Sequence, residues 1–518
     1  MAFFFARGWL LYYGDAEAHL NIARHVFDSQ TPGLIQFGTV WLPLPHALML
    51  PFVHIDRLWR NGLAGAIPSA AAFVSAGTLL FAAVRRIFDS TAAAATSALL
   101  FAGNPNVLYL QSTAMTEPLF FACLAALLYA TVRFRQTQHW GAVIGAGVAC
   151  ALAALTRYEG WFLIPFVAAY FLSTAEKRRV IVAALFAFIA ALGPVYWLAH
   201  NWWMIGDPLD FYRGPYSARA IQGSATYPGL GNWRLAWLYF RTAAALCTGP
   251  ILTWIGLAGV VAACAKRAVW PVVLLALPST FYLWSMHSVA SPIFVPTLWP
   301  NTYYNTRYGL AALPLLILGA AALVAILPVT IRRAAAPLVV IAGLGYWIPH
   351  PQPENWITWK ESSDNSEGRR QWVHEAADYL GPRYVHGSGI VTSFGDLIAI
   401  FRQAGIPLHE TFTGDDQVPW QATIARPELF LWQEWAVATS GDPVHRAIVR
   451  AESFGIPYRL EKSITAPKSP VIEIYRRVGR AFGPAANLLS GAQPSDALSE
   501  PRDAARKGGG RAEALAPQ

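Results

Sequence analysis

The 518-residue chain is 55% hydrophobic, 13% aromatic and only 13% charged, with a mean hydropathy of +0.36, whereas soluble domains run at roughly 45 to 50% apolar and about 25% charged. Apolar side chains in this proportion cannot all be hidden in one water-facing core, which excludes a soluble globular enzyme and predicts about a dozen lipid-facing helices. The formal charge of +9 would suit a polyanion if the basic residues shared one face, but they sit in short pairs between apolar segments, so no nucleic-acid partner is expected.

The first apolar segment, residues 3–13, would reach only ~16 Å as a helix, short of a bilayer. Arg7 lies in its middle and no small-residue cleavage site precedes Gly14, so it does not read as a cleavable signal peptide. Either this helix enters the membrane incompletely or the sequence starts inside a longer first span; the second reading is favoured. Ten further apolar segments follow, at residues 63–84, 91–109, 118–132, 141–155, 160–172, 180–203, 249–265, 269–286, 308–328 and 334–348. Backbone hydrogen bonding makes helices the natural spanning form. The cysteines Cys123, Cys150, Cys247 and Cys264 all lie within these runs and form no CxxC pair. They read as small buried hydrophobes, not as a metal or disulfide framework.

Orientation follows from the connections. Arg85 and Arg86, Arg133 and Arg135, Lys177 to Arg179, Lys266 and Arg267, and Arg332 and Arg333 occupy every second one, and these are assigned to the cytoplasm. The intervening connections are richer in Asn, Asp, Glu and aromatic residues. That places Asp15 outside and, after about eleven spans, everything beyond Trp347 outside as well. Past Pro353 the composition turns water-soluble. Amphipathic stretches at 366–380 and 442–454 alternate with strand-like runs at 389–392, 429–432, 458–461 and 471–475. The expected architecture is therefore mainly α: a polytopic transmembrane helical bundle over residues 1–350 with a small extracytoplasmic α/β domain over 351–480. Residues 481–518, rich in Gly, Pro, Ala and charges, read as a disordered tail.

Ionisable residues at the ends of membrane helices are functional candidates. Asp15, Glu17 and His19 open a stretch whose Leu20, Ala23 and Phe27 share a face, which suggests a helix lying in the interface; capping and first-turn placement account equally for the two acids. Thr116 or Glu117 caps a helix with Pro118 in its first turn, but a second carboxylate on the side of Asp15 goes beyond capping. Arg157 and Glu159 flank a very short turn, where interfacial anchoring is the bland alternative. Arg307 stands at the outer end of an apolar helix, where snorkelling would explain it. Together these groups suit group transfer at a membrane surface. One carboxylate takes a proton from an acceptor hydroxyl, a second orients the acceptor or holds a divalent ion, and arginines neutralise a lipid-tethered phosphate leaving group. No Gly-rich phosphate loop follows a strand, so soluble nucleotide-sugar binding is not expected.

The blocks Tyr13-Gly-Asp15-Ala-Glu17-Ala-His19-Leu-Asn21, Gly38-Thr-Val-Trp-Leu-Pro-Leu-Pro-His46, Met115-Thr-Glu117-Pro118 and Thr156-Arg-Tyr-Glu-Gly-Trp161 resemble the GT-C superfamily. The likeness is greatest to bacterial relatives of protein O-mannosyltransferases and lipid A aminoarabinose transferases, and it covers residues 1 to 350. It implies a multi-pass plasma (inner) membrane glycosyltransferase that inverts the anomeric carbon of a polyprenyl-phosphate-linked sugar, using an extracytoplasmic protein, lipid or polysaccharide acceptor. Asp15 matches the position of the family's catalytic carboxylate and Glu117 the second acidic position, catalytic or a ligand for Mg or Mn. Glu17 is displaced by one from the adjacent Asp-Glu of some members. Glu17, His19, Arg157, Glu159 and Arg307 are the expected substrate-binding residues, the two arginines as phosphate contacts. The alternative is a transporter or flippase of lipid-linked sugars, which would place ionisable groups near the bilayer midplane and commonly show internal repeats.

Overall fold

The computed structural model describes residues 1–223, 225–289, 291–393 and 395–478; the tail expected to be disordered, 481–518, lies outside the described residues. The chain divides into two compact units. The first comprises Met1–Ala23 and Phe37–Ser366, the second Arg24–Gln36 and the residues from Glu367 onward.

The first unit is a helical bundle. Among the described residues, five helices are individually long and apolar enough to cross a membrane: Leu63–Phe88, Glu117–Thr137, Arg179–Ile205, Val269–Ser288 and Thr306–Ile326. A further candidate is the pair Trp233–Thr248 and Pro250–Ala265, bent by 108° where Gly249 adopts φ +83° and proline starts the second helix. The protein is thus a multi-pass membrane protein. Fewer helices span by length than the about eleven expected, because several apolar segments form helices of 13 to 16 residues: Thr91–Gly103, Trp140–Ala154, Glu159–Thr174 and Val329–Leu344. Segment 91–109 is broken by Asn104, whose side chain accepts the backbone N–H groups of Asn106 and Val107 at 3.0 and 3.2 Å and starts a new helix at Pro105. The opening segment forms only one helical turn, Ala2–Phe5, before Gly8 reverses the chain at φ +71°.

Close helix approach depends on small residues. A Cβ added to Gly259 would lie 1.9 Å from the carbonyl oxygen of Gly319, and one added to Gly256 would meet Leu316 at 2.7 Å. These contacts lock Pro250–Ala265 against Leu313–Ile326. The helix Gly14–His25 buries Ala16, Leu20 and Ala23 completely, whereas Phe27, expected on the same apolar face, lies beyond the helix and is exposed.

The second unit is built on a five-stranded sheet of order β2-β1-β3-β5-β4, with β1 Ile390–Thr392, β2 Thr411–Phe412, β3 Trp435–Thr439, β4 Tyr458–Ile464 and β5 Ile472–Arg477. β1 runs parallel to β2 and β3, and β5 is antiparallel to β3 and β4, with Val391 opposite Ala436 and Ala436 opposite Tyr475. The run 429–432, expected as a strand, instead overlaps a helical turn, Pro427–Phe430. Pro427 starts that turn, and the fully buried Trp435-Ala-Val-Ala stretch takes the sheet position instead. The helix Pro443–Ser453 is capped by Asp442, which accepts the N–H of His445 at 2.8 Å, and it packs Val444, Ile448 and Ala451 over Ala436 and Ala438. The segment Arg24–Gln36 is tied to this unit by Asp28, which accepts the His409 backbone N–H at 2.9 Å, and by Thr31, which donates to Asp416 at 2.9 Å.

Candidate active site

Three short connections and one helix start converge within the first unit. Asp15 lies in the first turn of Gly14–His25 and keeps 41% of its side chain exposed while pairing with Arg307. Arg307 lies in the 3-10 turn Thr306–Ala312, with 8% of its side chain exposed. Its Nε donates to Glu117 Oε1 at 3.2 Å, and its Nη1 lies 3.5 Å from Glu361. Arg157 donates to the same oxygen of Glu117 at 3.1 Å, to Glu159 at 2.8 Å and to the Thr116 hydroxyl at 2.6 Å. The Tyr282 hydroxyl closes the chain, accepting from Arg157 and donating to Glu159. Thus Asp15, Arg307, Glu117, Arg157 and Glu159 form one continuous polar network, assembled from residues nearly 300 positions apart.

Asp15, His19, Arg157, Glu159 and Arg307 also line one cavity of about 590 Å³, within the range of ligand pockets. Its remaining wall is largely aromatic, including Trp41, Tyr158, Trp161, Phe281 and Tyr308. Glu117 sits behind this wall, nearly fully buried. Glu17 does not reach the cavity. One turn of helix separates Asp15 from His19 and puts them on one face, while a residue two positions along points to the other side. There Glu17 accepts a hydrogen bond from Asn21 at 3.0 Å, and Asn21 in turn accepts one from Trp59. That contact gives Glu17 a bracing place in the structure, apart from the cavity where it was expected to bind substrate.

Two of the bland alternatives fail. Arg307 does not snorkel, since its guanidinium is buried among carboxylates. Thr116 makes no side-chain cap, because its backbone is helical instead of extended; its hydroxyl accepts from Arg157. Glu117 is the residue expected to hold a divalent cation, and its Oε2 is buried without a hydrogen-bond partner. Two guanidinium groups already share one of its oxygens, and among the described residues no three His, Cys, Asp or Glu side chains are grouped to hold a metal ion.

Sequence reasoning missed Glu361, Tyr282 and the partner of His19. Glu361 is buried in the helix Ile357–Leu380. It accepts the backbone N–H groups of Thr306 and Arg307, each at 3.2 Å, and the Tyr13 hydroxyl at 3.1 Å. Burial pushes its carboxyl above the usual range, while Arg307 and these hydrogen bonds pull it back. Its place in polar sequence gave no sign of burial. His46 did appear in a quoted block, but nothing local links it to His19, 27 residues away.

A polytopic helical membrane unit with a polar, ligand-sized cavity defines the class. The comparisons narrow it. Residues 57–203 match the dolichyl-phosphate-mannose-protein mannosyltransferase family. The structure of ArnT from Cupriavidus metallidurans bound to undecaprenyl phosphate is similar to 91% of this chain and 96% of that one, at 13% identity and a TM-score of 0.54. The apo structure of the same protein gives 12% identity, 89% and 93% coverage, and a TM-score of 0.54. No curated protein sequence matches. The chain shares its fold with this ArnT, the GT-C fold that the sequence resemblance implied.

Proposed function

We propose that this protein is an inverting glycosyltransferase of the plasma (inner) membrane that moves a sugar from a polyprenyl phosphate to an extracytoplasmic acceptor. The observation that carries this reading is the half-exposed Asp15 beside Arg307 and Arg157 on the wall of one large cavity. The match to the dolichyl-phosphate-mannose-protein mannosyltransferase family and the undecaprenyl phosphate bound to the similar ArnT support the donor class.

The chemistry follows from the charges. Asp15 keeps part of its carboxylate exposed beside Arg307, within reach of an acceptor hydroxyl whose proton it can take. The acceptor hydroxyl attacks the anomeric carbon from the face opposite the phosphate and passes its proton to Asp15. The anomeric C–O bond breaks, and its electron pair leaves with the polyprenyl phosphate. Arg157 and Arg307 stabilise that developing charge in a site of low dielectric. Glu117 and Glu159 hold the guanidinium groups in place, and the aromatic wall takes the sugar face and the first isoprene units. No step passes through a metal ion.

Purified protein supplied with radiolabelled polyprenyl-phospho-sugars tests this. Asp15→Asn is expected to reduce transfer by ~10² to 10⁴, the range of general-base contributions, and the product should carry the inverted anomeric configuration. Full transfer by Asp15→Asn would overturn the mechanism. Movement of the intact labelled lipid across liposomes, without glycosidic bond cleavage, would favour the flippase reading.

A further inference from the structure

His19 is a cavity group that this mechanism leaves unused. It lies one helical turn from Asp15 and lines the same cavity, with the Trp41 ring 4.6 Å from its own. Its Nδ1 is 2.7 Å from Nε2 of the fully buried His46. At the far side of His46, Nδ1 is buried without a hydrogen-bond partner. Burial, followed by the charges of Arg157 and Arg307, holds the His19 pKa down to about 3, so the imidazole is neutral at physiological pH.

Two neutral imidazoles joined by one N···N hydrogen bond share a single proton there, and the arrangement has two forms. If His19 donates, His46 must carry its own proton on Nδ1, leaving a buried N–H with no acceptor. If His46 donates from Nε2, its Nδ1 is a bare lone pair, and His19 carries its proton on Nε2. Orphaned buried N–H groups are rare in proteins, which favours the second form. His19 then presents an uncharged N–H donor on the Asp15 face of the helix. Such a donor would add to the cavity's arginines, which include Arg219 as well as Arg157 and Arg307. Arg157 and Arg307 are each shared between carboxylates, so a further N–H donor adds to the stabilisation they give an arriving phosphate.

We propose that His46 locks His19 in the neutral Nε2–H tautomer, and that this N–H donates a hydrogen bond to a phosphate oxygen of the lipid-linked donor. The second half rests on the donor class proposed above. His46 is on this view a positioning residue, acting through His19.

The tautomer is read directly by ¹⁵N NMR of histidine-labelled protein in detergent, with the His19 signals assigned by their loss in His19→Gln. Wild type should show Nε2–H at pH 6 to 8 and His46→Phe a mixture of tautomers. A wild-type His19 found as Nδ1–H, or as imidazolium, overturns the proposal. Binding of sugar-free polyprenyl phosphate, followed by tryptophan fluorescence, tests the ligand. His19→Ala should weaken it by about 10- to 100-fold, the effect of one hydrogen bond to a charged group. His19→Gln, which keeps an N–H near the Nε2 position, should restore most of that loss. If wild type binds the lipid phosphate and His19→Ala binds it equally well, the proposal fails while the donor reading stands. If wild type itself does not bind it, the donor reading fails and the phosphate assignment falls with it.

Discussion

Asp15 and Arg307 form an ion pair across 292 residues of sequence, and that pair brings a half-exposed carboxylate to a cavity while its partner stays buried. The guanidinium also reaches Glu117 and Glu361. Arg307 therefore bears on both chemistry and stability.

Arg307→Gln removes the cation but leaves Glu117 and Glu361 buried. Breaking a buried ion pair by deleting one partner costs ~3 to 5 kcal/mol. A marked fall in thermal midpoint in detergent is expected, together with loss of transfer. An unchanged midpoint would show that these carboxylates are not held by Arg307.

Tyr282 bridges Arg157 and Glu159 through its hydroxyl. Tyr282→Phe preserves the ring packed against Tyr308 and deletes the bridge. Hydrogen bonds to charged groups contribute ~1.5 to 3 kcal/mol, so kcat/KM should fall by roughly 10- to 100-fold without loss of folded protein. Steady-state kinetics beside size-exclusion profiles would check this, and wild-type kinetics in the variant would remove Tyr282 from the network.

Gly259 faces the Gly319 carbonyl at a distance that no Cβ tolerates. Gly259→Val must push two membrane helices apart, and overpacking of this kind costs ~1 to 3 kcal/mol or more. The expected result is a poor yield of monodisperse protein. Gly145, where an added Cβ meets nothing within 4 Å, should accept alanine with a normal yield.

In the second unit, Asp28 has a lowered pKa: burial alone would raise it, but the His409 backbone N–H, Arg24 and the His409 ring more than offset that. A depressed folded pKa means that the carboxylate adds stability above its unfolded value of ~3.9. That contribution is lost as pH falls through the folded pKa. Asp28→Asn should therefore be less stable than wild type at neutral pH, with the gap closing only in strong acid. Thermal midpoints of both proteins across pH 2 to 7 measure it, and a gap independent of pH would refute it.

Much of this was legible locally. Apolar runs gave the helices because the hydrophobic effect acts on composition over some twenty residues, and Pro118 marked the start of a helix through its fixed φ. Glu17 lies outside the cavity lining because Asp15 and Glu17 are neighbours in sequence but lie on opposite faces of a helix. Arg307 was expected to contact phosphate, with snorkelling as the alternative, but no local pattern named its carboxylate partners Asp15, Glu117 and Glu361, which are far from it in sequence.

By itself, then, the sequence determined the class of molecule: a multi-pass helical protein with a GT-C resemblance and sparse acids and arginines at helix ends. Only the tertiary structure decided which of those groups meet. It joined Asp15, Glu117, Arg157 and Arg307 in one network, added Glu361 and Tyr282, turned Glu17 away from the cavity, and set His46 behind His19. The physical reason is that helix formation and burial follow from residue type and short-range periodicity, whereas ion pairs and hydrogen bonds act over about 3 Å. Such contacts depend on how distant helices pack, which no local pattern records.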